Sequence, residues 1–264
     1  MVRNPRSKRR NVTPTPKPVM PGAEPIFYDR GDKGILFLHG FTGSPYEGRD
    51  FAEYFQQKGY TVWVPLLPGH GTHPGDLETV TWADWYSAAR THLFKLQRKC
   101  KKVAVVGQSM GAALAMNLAA HYPFDALVTL AGFVFLTDWR LKLLPVARHV
   151  MRYQYKSKGP DIKSKEAKKR SASYHKYPVK SIQQLLALIE HVRGDLMDIH
   201  IPTFLVHAKR DHVVHYSNMD YLYNHIASKI KKRLLVENSY HIVSVDNDKE
   251  LIFEEIETFF KKLL

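Results

Sequence analysis

The chain has 264 residues, 44% of them hydrophobic, with 39 Lys and Arg against 25 Asp and Glu, a formal net charge of +14 and one cysteine, Cys100. This length and apolar content suit one α/β unit with a sizeable core. No apolar run of about 18 residues exists to span a membrane, residues 1–25 hold no apolar signal core, and a lone cysteine makes no intrachain disulfide, so a cytoplasmic protein is expected.

Residues 1–25 are rich in Pro, Arg and Lys and read as a disordered basic arm. Lys33–Leu38 is an apolar strand that runs into the glycine-bearing loop His39-Gly40-Phe41-Thr42-Gly43. Ser44-Pro45-Tyr46-Glu47 has the pattern of a capping box with proline at the first helical position. The helix it opens would turn Phe51, Tyr54 and Phe55 inward and stop at Gly59. Residues 60–64 form the next strand, Trp82–Lys99 a helix, 103–106 a strand, and 125–131 another after the helix beginning near Ala112. After a long insertion, residues 201–208 and 233–237 read as strands and 248–264 as a helix with Ile252, Ile256, Phe259, Phe260 and Leu263 on one face. Such alternation predicts an α/β fold with a mostly parallel central sheet covered by helices on both faces. Its core would comprise residues 26–132 and 195–264, with an inserted cap at 133–194.

The chemistry centres on Gly107-Gln108-Ser109-Met110-Gly111, between a β-branched strand and a helix-forming run. A serine on so tight a turn stands clear of the sheet, and side chains at Gly107 or Gly111 would collide with the crossing elements. A glycine-rich structural turn matches the bare pattern too; the flanking strand and helix favour a nucleophile. In α/β-hydrolases, whose serine turn this one resembles, an acid and then a base follow further along the chain. Asp211 leaves the end of strand 201–208, and His241 leaves the end of the last strand. Both therefore fall at the sheet edge that carries Ser109. Asp138, after the preceding strand, is the competing acid; Asp195 and Asp198 precede their strand and fall at the other edge. Among 14 histidines, His212 and His215 follow Asp211 too closely, His225 lies in a helical run, and His175 and His191 lie in the insertion. The loop after Leu38 can aim the Phe41 N–H, together with that of Met110, at an oxyanion, while His39 shapes the loop.

The insertion is too long for an ordinary connection and reads as a lid or binding segment, with the helical run 181–189 roofing the site; a purely structural insertion is the alternative. Residues 139–193 carry 14 Lys and Arg and three acids. The arm and cap thus concentrate the positive charge. A solvated basic face explains this, and an anionic lipid surface is the alternative partner. Basic residues of the arm are not interleaved with aromatics, so dedicated nucleic-acid binding is not expected. No zinc-type Cys/His spacing and no Walker-type loop is present, so neither metal nor cofactor is expected.

Several long motifs in register carry a resemblance: residues 39–45 (HGFTGSP), 67–74 (LPGHGTHP), 81–85 (TWADW), 178–182 (PVKSI) and 211–214 (DHVV). From about residue 33 onward the chain resembles the bacterial carboxylesterases that include thermostable monoacylglycerol lipases, a group of α/β-hydrolases. The resemblance implies Ser109, Asp211 and His241 as catalytic residues, Phe41 and Met110 as backbone donors, and hydrolysis of short- to medium-chain carboxylic esters through an acyl-enzyme. Monoacylglycerol lipase activity is the close variant; a non-catalytic basic binding protein on a hydrolase fold is the reading from another class. The chain departs from the pattern at Gln108, usually apolar, at Ala112, commonly glycine, and at Tyr240, usually glycine. These departures bear on rate and acyl preference through the nucleophile turn and the approach to His241.

Overall fold

The computed structural model of the chain describes residues 17–138, 141, 143, 144 and 150–264. Most of the expected arm, residues 1–16, lies outside these. The remainder of it packs: the Met20 N–H donates to Gly71 O and Ala23 is buried.

Apolar runs build the main sheet from β1 (Ile26–Tyr28), β2 (Lys33–Leu38), β3 (Thr61–Val64), β4 (Lys102–Gln108), β5 (Ala126–Leu130), β8 (Thr203–Ala208) and β9 (Lys231–Val236). Two further short strands, β6 (Tyr153–Tyr155) and β7 (Lys176–Pro178), pair antiparallel within the insertion. The main sheet has the order β1-β3-β2-β4-β5-β8-β9, parallel throughout except for β1 against β3. Central strands β2, β4, β5 and β8 are buried on both faces, which is why they read as continuous apolar runs rather than alternating ones. The edge strand β1 escapes sequence reading because three residues carry no period.

Helices cover both faces, as the alternation predicts. On one face α1 (Arg49–Gln57) and α7 (Lys249–Phe260) bury Phe51, Phe55, Ile252 and Ile256 against Ile35, Val106 and Phe204. On the other, α2 (Trp82–Lys99) and α3 (Met110–His121) pack with Leu36, Val105 and Leu127. Within the insertion, the short α4 (Lys165–Arg170) precedes α5 (Val179–Gly194), and α6 (Ser217–His225) links β8 to β9. The last turns of α5 join the core on the α3 face through Leu188, Ile189 and Val192. The expected capping box takes another form. Ser44 caps a single 3-10 turn, Pro45–Gly48, accepting from the Tyr46 N–H, and α1 begins only at Arg49. Glu47, the expected cap partner, turns instead toward Gly40.

Candidate active site

Strand β4 delivers Ser109 at the mouth of α3. Its φ of +57° lies in the left-handed region, where a non-glycine residue is strained and is held only by its surroundings. Here the surroundings are steric. A Cβ on Gly107 would overlap the backbone of Gly111, and one on Gly111 would overlap Leu38 O. Strand β2, the turn and the helix therefore meet at distances only glycine permits.

Two loops bring their groups to this serine from far along the chain, His241 from 132 residues away and Asp211 from 30 residues before it. Ser109 Oγ lies 2.8 Å from His241 Nε2, and His241 Nδ1 lies 2.7 Å from Asp211 Oδ2. Since a carboxylate only accepts, Nδ1 carries the proton and Nε2 presents its lone pair to the Ser109 hydroxyl. Asp211 is itself locked: its Oδ1 accepts the N–H groups of Val213 and Val214, each at 2.8 Å. His207 adds a contact at 3.2 Å from Oδ2, and the same nitrogen lies 3.1 Å from Val214 O, so Nε2 is the protonated one. Burial pushes the Asp211 carboxyl up, but the charge of His241 and the hydrogen bonds from His207 and His241 outweigh it and hold the acid well below the usual carboxylate range. Burial in turn pushes the His241 imidazole down, and the Asp211 carboxylate more than compensates, leaving it above its ordinary value. Asp138 lines the pocket wall; the bond to His241 is made by Asp211.

Phe41 lines the pocket with Ser109, and Met110 follows the serine in the chain; neither N–H has a hydrogen-bond partner among the described residues. Their loop is pinned from several directions. His39 Nδ1 donates to Gly40 O at 3.0 Å and its Nε2 accepts from the Leu67 N–H at 3.1 Å, so His39 is neutral and bridges two loops. Burial holds its pKa far below the ordinary imidazole value. The buried Glu47 carboxylate accepts the Gly40 N–H at 2.7 Å. From the insertion, Lys156 donates to the Thr42 hydroxyl, on a residue with φ of +63°. Burial raises Glu47 to about 7 and lowers Lys156 to about 8, each partly restored by the other's charge.

Glu47, Lys156 and Asp161 line the pocket and are positions that sequence reasoning does not single out. Glu47 fits a capping pattern, and Lys156 is one basic residue among many. Asp161 accepts the N–H groups of both His241 and His212, at 3.2 and 3.1 Å, and bonds the His212 ring at 2.9 Å. The insertion thereby grips both the loop of His241 and the loop of Asp211 and His212. Gln108, noted as a departure, does more than shape its own turn: its amide donates to His241 O at 2.9 Å, tying the strand before Ser109 to the His241 loop. Tyr240 stacks edge-on against His212 at 4.4 Å.

These groups open into a pocket of about 520 Å³, the size of a small-molecule site. Its lining is of two kinds. Phe133, Leu136, Leu141, Ile182, Leu185 and Val213 are apolar; Thr42, Glu47, Lys156, Asp161, Ser173 and His212 are polar. The first half of α5 thus reaches the pocket while its second half is fixed in the core. An activated hydroxyl, two unengaged N–H groups and a cleft of this kind suit nucleophilic attack on a carbonyl carbon.

Residues 30–248 match the sequence pattern of the serine aminopeptidase S33 family. The chain is 35% identical over 246 residues to a thermostable monoacylglycerol lipase of Bacillus sp. strain H-257, covering 93% of this chain and 97% of the relative. It is 26% identical over 242 residues to a carboxylesterase of Bacillus subtilis strain 168, covering 91% and 97%. A solved structure from the metagenome-derived lipolytic enzymes LipS and LipT superposes with a TM-score of 0.88 at 34% identity, over 93% of this chain and 100% of that one. A monoglyceride lipase of Saccharomyces cerevisiae shares the fold, with a TM-score of 0.76 at 15% identity over 90% of both chains. No helix among the described residues is long and apolar enough to cross a membrane. With its serine turn, its sheet order and a family match along most of its length, the chain belongs to the serine aminopeptidase S33 family of α/β-hydrolases.

Proposed function

We propose that the protein is a serine carboxylesterase that cleaves short- to medium-chain carboxylic esters, monoacylglycerols among them. The observation that carries this reading is the continuous path from Ser109 Oγ to His241 Nε2 at 2.8 Å and from His241 Nδ1 to Asp211 at 2.7 Å, opening on a pocket with an apolar lining. Ester-cleaving relatives that align over nearly the whole chain support it.

In this scheme His241 removes the Ser109 proton as Oγ attacks the ester carbonyl. The N–H groups of Phe41 and Met110 receive the oxyanion, each worth about 3 kcal/mol of transition-state stabilisation. The alcohol departs with the proton from His241, and water, activated by the same imidazole, releases the acid from Ser109. Residues 133–194 serve as a cap: Ile182 and Leu185 cover the acyl chain and exclude water. The enzyme works in the cytoplasm, a location in keeping with its single, unpaired and buried Cys100. The basic cap offers an anionic lipid surface a docking face; vesicle co-sedimentation across salt concentrations tests this, and no binding to anionic vesicles at low salt removes it.

The deciding experiment is hydrolysis of p-nitrophenyl esters from acetate to palmitate, with Ser109→Ala alongside. Turnover that peaks at short or middle chains and vanishes in the variant supports the reading. A folded wild-type protein inactive on every chain length overturns it.

A further inference from the structure

We propose that His121, His191 and Asp195 form a binding site for one zinc-like divalent cation, and that the cation fastens the inserted helix α5 to α3, the helix that carries the Ser109 turn. The three residues lie 70 and 74 positions apart along the chain, yet their ligand atoms all fall within 4.8 Å of one another. His121 is the last residue of α3, His191 lies in the last turn of α5, and Asp195 caps that helix. His191 and Asp195, four apart, share one helix face.

The donor chemistry points to a metal. His121 Nδ1 lies 2.8 Å from Asn117 O. A carbonyl only accepts, so Nδ1 holds the proton and Nε2 of the neutral ring is a free lone pair. That lone pair sits 3.9 Å from Asp195 Oδ2, and His191 Nε2 sits 3.5 Å from the same oxygen. The His121 lone pair facing this carboxylate repels it unless a cation or a proton lies between them. A tetrahedral zinc site has neighbouring ligand atoms about 3.4 Å apart, so small side-chain rotations bring these three into its first coordination sphere, with water as the fourth ligand.

The supporting groups are those a metal site needs. Asn117, buried in α3, orients two ligands from different helices: its main-chain carbonyl takes the His121 ring proton, and its side-chain amide nitrogen lies 3.3 Å from Asp195 Oδ2. The Trp82 ring packs on His191 at 5.1 Å and Tyr86 lies edge-on to His121 at 6.4 Å, limiting ring rotation. Two imidazoles and one carboxylate select borderline ions such as zinc, cobalt, nickel or copper over magnesium and calcium, which prefer oxygen. The site departs from the expectation of no metal because its ligands come from separate helices and leave no spacing motif.

The test is titration of the full chain, free of any affinity tag, with zinc chloride and separately with magnesium chloride, followed by calorimetry and thermal unfolding. The expected result is saturable binding of one zinc per chain with a raised melting temperature, and no response to magnesium. His191→Gln and Asp195→Asn should each weaken zinc binding by at least about tenfold and abolish the thermal shift. Both ligands are partly exposed, so both variants should melt near the wild type without metal. Equal zinc binding by wild type and both variants would assign the metal to other histidines. Absence of saturable zinc binding would mean that a bridging proton alone fills the gap; either outcome overturns the proposal.

Discussion

The two walls of the pocket are held in different ways. On the core wall, Ser109 is fixed by sterics: strand β2, the turn and α3 leave room for nothing larger than hydrogen at Gly107 and Gly111. Packing of this kind has one solution, since an atom that does not fit displaces an entire element. On the insertion wall, Lys156 and Asp161 reach the Thr42 loop and the loops of His241 and His212 through individual polar contacts. Such contacts are adjusted one at a time. The proposed chemistry is therefore set where packing is tightest, and its tuning comes from the polar contacts of the insertion.

Substitutions on the two walls should separate by orders of magnitude. Ser109→Ala is expected to lower ester turnover about a millionfold, since triad members act as a unit. Asp211→Asn leaves the geometry but removes the group that fixes the His241 tautomer, and should cost about 10⁴-fold in kcat. It should also move the pH profile. In the proposed mechanism His241 accepts the serine proton only when neutral, and Asp211 holds its pKa above the ordinary imidazole value. Wild-type kcat/KM thus falls as pH drops through that raised value, and in Asp211→Asn the acid limb should shift to lower pH. A limb that stays in place would assign it to another group, Glu47 foremost, which titrates near 7.

On the insertion wall, Asp161→Asn weakens charge-assisted bonds to His241 and His212, and should cost about 10- to 100-fold in kcat/KM, at about 1.4 kcal/mol per factor of ten. Lys156→Met should cost about tenfold or less. It should also remove a shallow decline in turnover above about pH 8, where Lys156 loses its charge. Gln108→Leu is the sharpest control, because Gln108 stands on the core wall yet acts by one hydrogen bond to His241 O. About a tenfold loss would show that the type of contact, not the wall, sets the cost. If Lys156→Met or Asp161→Asn matched Ser109→Ala, the distinction between the walls would collapse.

The legibility of each part follows from how local its cause is. The Gly-Gln-Ser-Met-Gly turn announces itself because steric rules act within five residues. Asp211 and His241 can be singled out because parallel strands place their exit loops at one edge of the sheet. Lys156 has no such marker: nothing separates it from its basic neighbours until β6 and β7 aim it at Thr42. Glu47 shows the converse, for its local pattern fits a helix cap while tertiary contact directs it to Gly40.

The sequence by itself determined the alternation of strands and helices, the strained serine turn, and the order in which acid and base follow it. Each of these depends on backbone sterics and the burial of periodic apolar residues, which short stretches of chain encode. Only the tertiary structure decided which polar groups meet: His207 on Asp211, Gln108 on His241, Lys156 on Thr42, and His121 with His191 and Asp195. Those meetings depend on distances between elements far apart in the chain, and a polar side chain carries no record in the sequence of the partner it will find.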